Sequence, residues 1–189
     1  MVTEKPMRYG LRSAFLVVTL LVLGLAYVAN SIEFHRQRCA REARAITRIR
    51  EAGGSISRRE CPEAWIARLV DEQLGLTVHR VSLRHVDTAS TMLPLLSAFP
   101  HLETLWLGNS NFSDDDVPIL ETLPQVTRVE LAYTRITDAS VESLSRLTQL
   151  RALNLDDTPL SDESFQKLRT QFPSTFITHN KSNYLPLRR

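Results

Sequence analysis

The sequence predicts an α/β solenoid: a short, curved, parallel sheet with helices on its convex side, preceded by a transmembrane helix and a helical cap. Three observations predict it. Leu102, Leu105 and Leu107 recur as Val126, Val129 and Leu131 and again as Leu150, Leu153 and Leu155, while Val78, Val81 and Leu83 hold the same frame one step earlier. Behind each frame lies a second apolar set, first Leu93, Leu96 and Phe99, then Val117, Leu120 and Leu123, then Val141, Leu144 and Leu147, with Phe165 and Leu168 opening a fourth. The third observation is charge. Residues 1–70 hold 12 Lys or Arg against 6 Asp or Glu, net +6, residues 71–189 hold 11 against 15, net −4, and residues 13–32 carry no formal charge. A fixed step of 24 residues marks an architecture in which each copy is one strand plus a return segment.

From the amino end, residues 1–12 form a basic tail with Lys5, Arg8 and Arg12, and residues 13–32 form the transmembrane helix. Twenty residues at about 1.5 Å each cover the roughly 30 Å of a bilayer core. Eleven of them are Phe, Leu, Ile or Val, which favours insertion. A basic n-region followed by Gly24-Leu25-Ala26 also fits a cleaved signal peptide, which would release a secreted or periplasmic product. The apolar stretch continues past Ala26 to Val28, Ala29 and Ile32, and this favours a retained, single-pass helix. Arg36, Arg38, Arg41, Arg44, Arg48 and Arg50 follow it, and by the positive-inside rule they hold the repeats in the cytoplasm, whereas the basic amino tail argues for the opposite side.

Residues 33–53 read as a basic juxtamembrane helix with Ala43, Ile46, Ile49 and Ala52 on one side, stopped by Gly53-Gly54. Its arginines fit a solvated stalk that anchors the membrane boundary, or a surface for lipid headgroups or a partner. Residues 54–77 read as an N-terminal cap. A helix from Pro62 to Leu74 opens on proline and closes at Gly75, and its apolar face of Trp65, Ile66, Leu69 and Val70 covers the open side of the first repeat. Cys39 and Cys61 have neither C-x-x-C spacing nor a histidine set, so no metal site is expected, and a disulfide between them stays open.

Residues 78–172 are the repeats. In each copy the apolar positions one, four, six, eleven, sixteen and nineteen point inward. Burying one such side chain contributes roughly 1.5–3 kcal/mol, which cannot offset the ordering of a whole copy at roughly 1–2 kcal/mol per residue. Stacking is therefore obligatory. Position nine carries Ser110, Thr134 and Thr158, whose hydroxyls are expected to satisfy turn backbone rather than form a ladder between copies. Ser113-Asp114, Thr137-Asp138 and Ser161-Asp162 supply acceptors for the first free N–H groups of the helices. Asp114, Asp115 and Asp116 lack the alternation, the glycine turn and the distal glutamate of a calcium loop. Residues 173–189 form a closing strand and tail, in which Pro173 to Thr178 reads as a partial fifth strand with its register slipped by one residue and Phe176 closing the core.

The pattern V-x-x-V-x-L-x-x-T-x-I-T-D-x-S-V-x-x-L-x-x-L from Val126 to Leu147 resembles bacterial leucine-rich-repeat proteins. Ala45 to Ser57, followed by Pro62, Trp65, Leu69 and Gly75, is similar to the amino-terminal cap of membrane-anchored members with few repeats, about four here. The resemblance implies a protein-interaction scaffold with no family-wide enzymatic activity and no standard ligand.

The binding surface is therefore argued from geometry. Strand positions three, five, seven and eight face solvent on the concave side, and among them Arg80, Arg84, Trp106, Arg128, Glu130 and Tyr133 are the candidate protein-binding residues. Trp106 stands out, because an indole on an open strand face adds little to folding and much to binding. Arg80 and Arg128, one strand away on either side, are expected to flank or cover it. No catalytic residues are expected: His35, His79, His85, His101 and His179 converge on no nucleophile, and no phosphate loop or H-E-x-x-H occurs. No cofactor, small-molecule substrate or nucleic acid is expected, the repeats being net acidic without a basic stripe. These expectations describe a membrane-tethered module that binds a protein or peptide, or a structural anchor or envelope component in which the repeats serve only as scaffold.

Overall fold

The computed structural model describes residues 10–180, and the side chains of all of these except residues 11–13. The predicted amino tail and the tail from Lys181 lie outside the described residues, apart from Gly10 and the backbone of Leu11 and Arg12. The class is α/β, with a long apolar helix near the amino end and six strands in one sheet whose order follows the sequence. They are β1 (Ser55–Glu60), β2 (Leu76–Ser82), β3 (Thr104–Trp106), β4 (Arg128–Glu130), β5 (Ala152–Asn154) and β6 (Phe176–Thr178). β1 runs antiparallel to β2, and every later pair is parallel.

The parallel register is set by the 24-residue step: Arg80 faces Thr104, Thr104 faces Arg128, Arg128 faces Ala152 and Ala152 faces Phe176. Because strand side chains alternate, this register stacks like positions on like. At position six Leu83, Leu107, Leu131 and Leu155 are each fully buried, and Val81, Leu105, Val129 and Leu153 lie beside them. The fifth copy keeps the step, with Leu153 opposite Ile177, so the predicted one-residue slip does not occur. Phe176 consequently falls on position three and is exposed rather than closing the core, while His179 takes the position-six place of the leucines. Its side chain is 2% exposed, packs on the Phe165 ring at 5.1 Å, and sets Nδ1 3.0 Å from the Leu155 carbonyl oxygen.

Position eight has a conformation of its own. His85, Asn109, Tyr133 and Asp157 all have positive φ, between 52° and 59°. Each turns the chain out of its strand while its N–H still bonds forward, as from His85 to the Gly108 carbonyl and from Tyr133 to the Asp156 carbonyl. The position-nine hydroxyls of Ser110, Thr134 and Thr158 donate to the carbonyls of Leu107, Leu131 and Leu155 in their own copies, so they brace that turn and form no ladder.

The described residues divide into two compact units, one of residues 10–39 and 61–75, the other of residues 40–60 and 76–180. Helix α1 (Leu11–Glu51) contributes to both and is continuous through the expected boundary at residue 33. At 1.5 Å per residue it is about 60 Å long. Its stretch from Phe15 to Val28 is exposed, and its length and composition are those of a membrane span and equally of an amino-terminal signal sequence.

In the second unit the end of α1 is core, not a solvated stalk. Ala45, Ile46 and Ile49 join one apolar cluster that runs through the repeats to Phe172. The buried face is shifted from the predicted one, since Ala43 is exposed and Glu42 is buried. Gly53 (φ 89°) ends the helix, and the Gly54 N–H bonds the Ile49 carbonyl at 2.8 Å. A Cβ on Gly54 would meet Ile49 and Leu83 below 3 Å, so this turn admits only glycine at full packing. The edge of β2 is paired with the antiparallel strand β1, which the sequence does not predict.

In the first unit the predicted cap helix is broken into a turn of 3-10 helix at Pro62–Ala64, a single α-turn at Trp65–Arg68 and another 3-10 turn at Glu72–Gly75. Cys61, Ala64, Ala67 and Leu74 are the buried residues, whereas Trp65, Leu69 and Val70 of the predicted apolar face are exposed. Short side chains allow this segment to lie close against its support. Cys39 and Cys61 are both free thiols and form no disulfide with each other; the Cys39 thiol approaches the Gln73 carbonyl and the Cys61 sulfur approaches the Arg38 guanidinium.

Candidate functional site

Strands β2 to β6 present positions three and five on one face, and position seven extends it. Trp106 lies half-buried on this face. The guanidinium carbons of Arg80 and Arg84 stand over its ring at 4.7 and 4.8 Å from the centroid. The second arginine is thus Arg84, from the same copy as Arg80, and not Arg128. Arg84 is held there by the Glu130 carboxylate, which accepts from its Nε at 2.6 Å and forms an ion pair with Nη2. The bridge crosses from β2's copy to β4 over Trp106, so the indole is positioned by three copies at once.

Gly108 makes the bridge possible. A Cβ there would sit 2.8 Å from Glu130 Oε1 and 3.1 Å from the Ala132 carbonyl oxygen, so the missing side chain leaves the space in which the carboxylate lies. Arg128 remains exposed beside this cluster. A groove of about 400 Å³ runs from Arg80, Arg84 and Trp106 across Arg128 and Glu130 to Asn154, Asp156 and Phe176. It is basic at the β2 end and acidic beyond β5, as the sequence column predicts.

Five of the six predicted residues, Arg80, Arg84, Trp106, Arg128 and Glu130, therefore meet in one groove. Tyr133 does not. Its left-handed backbone carries it into the turn beyond the strand, where it is exposed and outside the groove lining. Sequence reasoning missed Phe176, which is 71% exposed in the groove wall. Counting 24 residues on from Ala152 would have found it. His85 also occupies the left-handed turn, with Nδ1 2.6 Å from the Asn109 amide nitrogen.

Two further polar clusters link neighbouring segments. Arg59 on β1 bonds Glu103, with Nη1 at 3.0 Å from Oε2 and a second, shorter contact. This bond is the main cause that lowers the Glu103 pKa. Burial, then Arg59 and Arg80, lower that of the neighbouring His79. At the helix starts, Asp114 accepts from the Thr137 N–H at 2.8 Å, the Thr137 hydroxyl at 2.6 Å and the Ser140 hydroxyl. Its partial burial acts to raise its pKa, but these bonds outweigh that and the net shift is downward. Asp138 repeats the link to the Ser161 N–H at 2.8 Å. The aspartates thus bond forward to the next copy, whereas the capping within a copy is made by Ser113 with Asp116, by Thr137 and by Ser161. No group of three or more His, Cys, Asp or Glu is arranged to hold a metal among the described residues.

A second concavity of about 780 Å³ lies between the end of α1 and residues 93–98, lined by Arg41, Arg44 and Arg48 over Ala45, Leu95 and Ala98. Among the described residues these three arginines form no ion pair.

The fold and the groove define an α/β protein with a six-stranded, mostly parallel sheet and an open, charged strand face. No protein-family model matches the chain, and no curated protein matches it. Among solved structures it is similar to leiomodin-1 actin-binding site 2, with a TM-score of 0.43 and 12% identity over 57% of this chain and 72% of that one.

Proposed function

We propose that the chain is a single-pass, membrane-tethered leucine-rich-repeat solenoid that holds a protein or peptide on the concave strand face, at Arg80, Arg84, Trp106, Arg128, Glu130 and Phe176. One observation carries the reading: the groove places two aromatic side chains, one of them largely exposed, beside three arginines. Trp106 lies three strands from Phe176, about 14 Å at 4.7–4.9 Å per strand. An extended segment of four or five residues spans that distance. Its anchors would be an acidic group facing Arg80, Arg84 and Arg128 and an apolar side chain against Phe176, with the aromatic and arginine contacts dominating affinity. No catalytic role is proposed.

Capture of cross-linked partners from the native membrane by the full chain tests this reading. Phe176→Ala and Arg128→Glu should each reduce capture at least tenfold, about 1.4 kcal/mol, while a triple variant with Arg41, Arg44 and Arg48 changed to Gln should leave it unchanged. Unaltered capture by the first two variants would remove the concave face as the site. The opposite pattern would select the other reading, a structural anchor attached through its basic helix, which the unpaired arginines of the second concavity favour. External protease acting on intact cells assigns the side: survival of the repeats places them in the cytoplasm, as the arginines after Ile32 argue.

A further inference from the structure

The first compact unit contains an apolar patch that its own core does not use. Trp65, Leu69 and Val70 are 62%, 79% and 55% exposed, although each would gain more from burial than the alanines that are buried instead. We propose that this patch seats in the headgroup boundary of the bilayer that α1 crosses, making residues 61–75 a second, monotopic membrane contact. The proposal rests on the reading of α1 as a membrane span.

Placement carries it. The segment is tied to α1 at both ends: Arg38 Nη2 donates to the Leu74 carbonyl at 3.1 Å, its Nη1 lies 3.9 Å from the Cys61 sulfur, and the Cys39 thiol lies 3.8 Å from the Gln73 carbonyl oxygen. Arg38 follows Ile32, the last residue of the apolar stretch, by six positions, or about 9 Å along the helix. The headgroup layer on each side of a bilayer is about 5–7 Å deep, and a helical turn with its side chains extends about 5 Å from its own axis. A segment clamped at Arg38 and Cys39 therefore has its axis just outside the headgroup layer, and its side chains reach to about 4 Å from the hydrocarbon edge, within the headgroups.

The segment is also rigid enough to hold a face there. The Cys61 N–H bonds the Gly75 carbonyl at 2.7 Å and closes the loop. The Arg68 side chain fills the space a Cβ would take at Gly75, which fixes the turn Trp65–Arg68 against the loop end. On α1 itself Phe34 is 59% exposed, so apolar surface continues about 3 Å past Ile32 toward this segment.

Chemistry selects the lipid layer over other occupants. Tryptophan favours the interface because its ring is apolar and its N–H is wet there. The exposed neighbours Glu63, Asp71 and Glu72 are acidic, so the contact rests on the apolar side chains and gains nothing from anionic headgroups.

The test is depth-resolved quenching with the full chain reconstituted into phosphatidylcholine vesicles. The sequence has two tryptophans, so the difference between the native chain and Trp65→Phe isolates Trp65. Lipids brominated near the headgroup should remove most of the Trp65 emission, while lipids brominated near the chain end and aqueous iodide should have little effect. Addition of phosphatidylserine should leave the pattern unchanged. If iodide quenches Trp65 and shallow bromolipid does not, while the protein resists carbonate extraction, the patch contact is overturned and the membrane span stands. If carbonate releases the protein, the span and the contact fall together. A Leu69→Ser variant that keeps native circular dichroism should weaken shallow quenching and strengthen iodide quenching, which a patch covered by protein would not show.

Discussion

Asp114 illustrates how one side chain joins two copies. It accepts three hydrogen bonds from Thr137 and Ser140, all in the following repeat. Asp114→Ala leaves the Thr137 amide without its partner and should cost about 1–2 kcal/mol of unfolding free energy, measured by urea titration of the native chain against the variant. Asp115→Ala, at an exposed neighbour, should cost less than about 0.5 kcal/mol. Tyr133 makes a second test at this scale. Its φ of 57° is tolerated by a residue unbranched at Cβ, but a β-branched side chain there is a steric outlier. Tyr133→Val should therefore destabilise by about 1–2 kcal/mol, whereas Tyr133→Asn should be close to neutral by the same titration. The face residues were legible from strand alternation alone. Tyr133 was not, because alternation predicts where a side chain points only while the backbone stays extended, and position eight is where the chain leaves the strand.

At the scale of elements, α1 and the first strand share the work expected of a separate cap. Ile49 is fully buried in the apolar cluster of the repeats. Ile49→Ala should therefore cost about 2–4 kcal/mol, which a solvated stalk would not feel, and Ala43→Ser, at an exposed position earlier on the same helix, should change stability by less than about 0.5 kcal/mol. The five parallel strands β2 to β6 and their order follow from one number, the repeat length, whereas antiparallel β1 lies outside the repeat. The cap region was harder to read, since Trp65 to Val70 has the composition of a buried helical face while the side chains buried in the segment are those of Cys61, Ala64, Ala67 and Leu74. Apolar residues state that a surface must be covered; they do not state by what. β6 is hard to place for a simpler reason: Ser174 and His179 stand where Leu150 and Leu155 stand one copy earlier, so its register carries no apolar match.

At the scale of the whole molecule, acid is the condition that acts on several supports together. His79 is held below its ordinary pKa, by burial first and then by Arg59 and Arg80. Below about pH 6.5 the unfolded chain binds a proton that folded His79 refuses, so stability falls as pH drops through that value until the folded histidine itself protonates. Glu103 and Asp114 are lowered as well, by the Arg59 bond and by the three bonds that overcome burial. Their stabilisation is complete above the ordinary carboxylate range and is lost as pH falls through it, below about pH 4.5. The urea midpoint should fall in two stages on acidification, and His79→Gln should abolish the first. A midpoint that stays level between about pH 7 and about pH 5 would contradict the histidine assignment.

The forward hydrogen bonds at position eight and the Asp114 link treat the following copy as their partner without regard to which copy it is. Growth by tandem duplication is then a matter of arithmetic. A duplicated block of residues 126–149 presents the same donors and acceptors at both of its seams, and should lengthen the sheet by one strand, about 4.8 Å. A block one residue shorter or longer turns every inward leucine of the new strand outward. Heredity can extend this sheet only in whole copies.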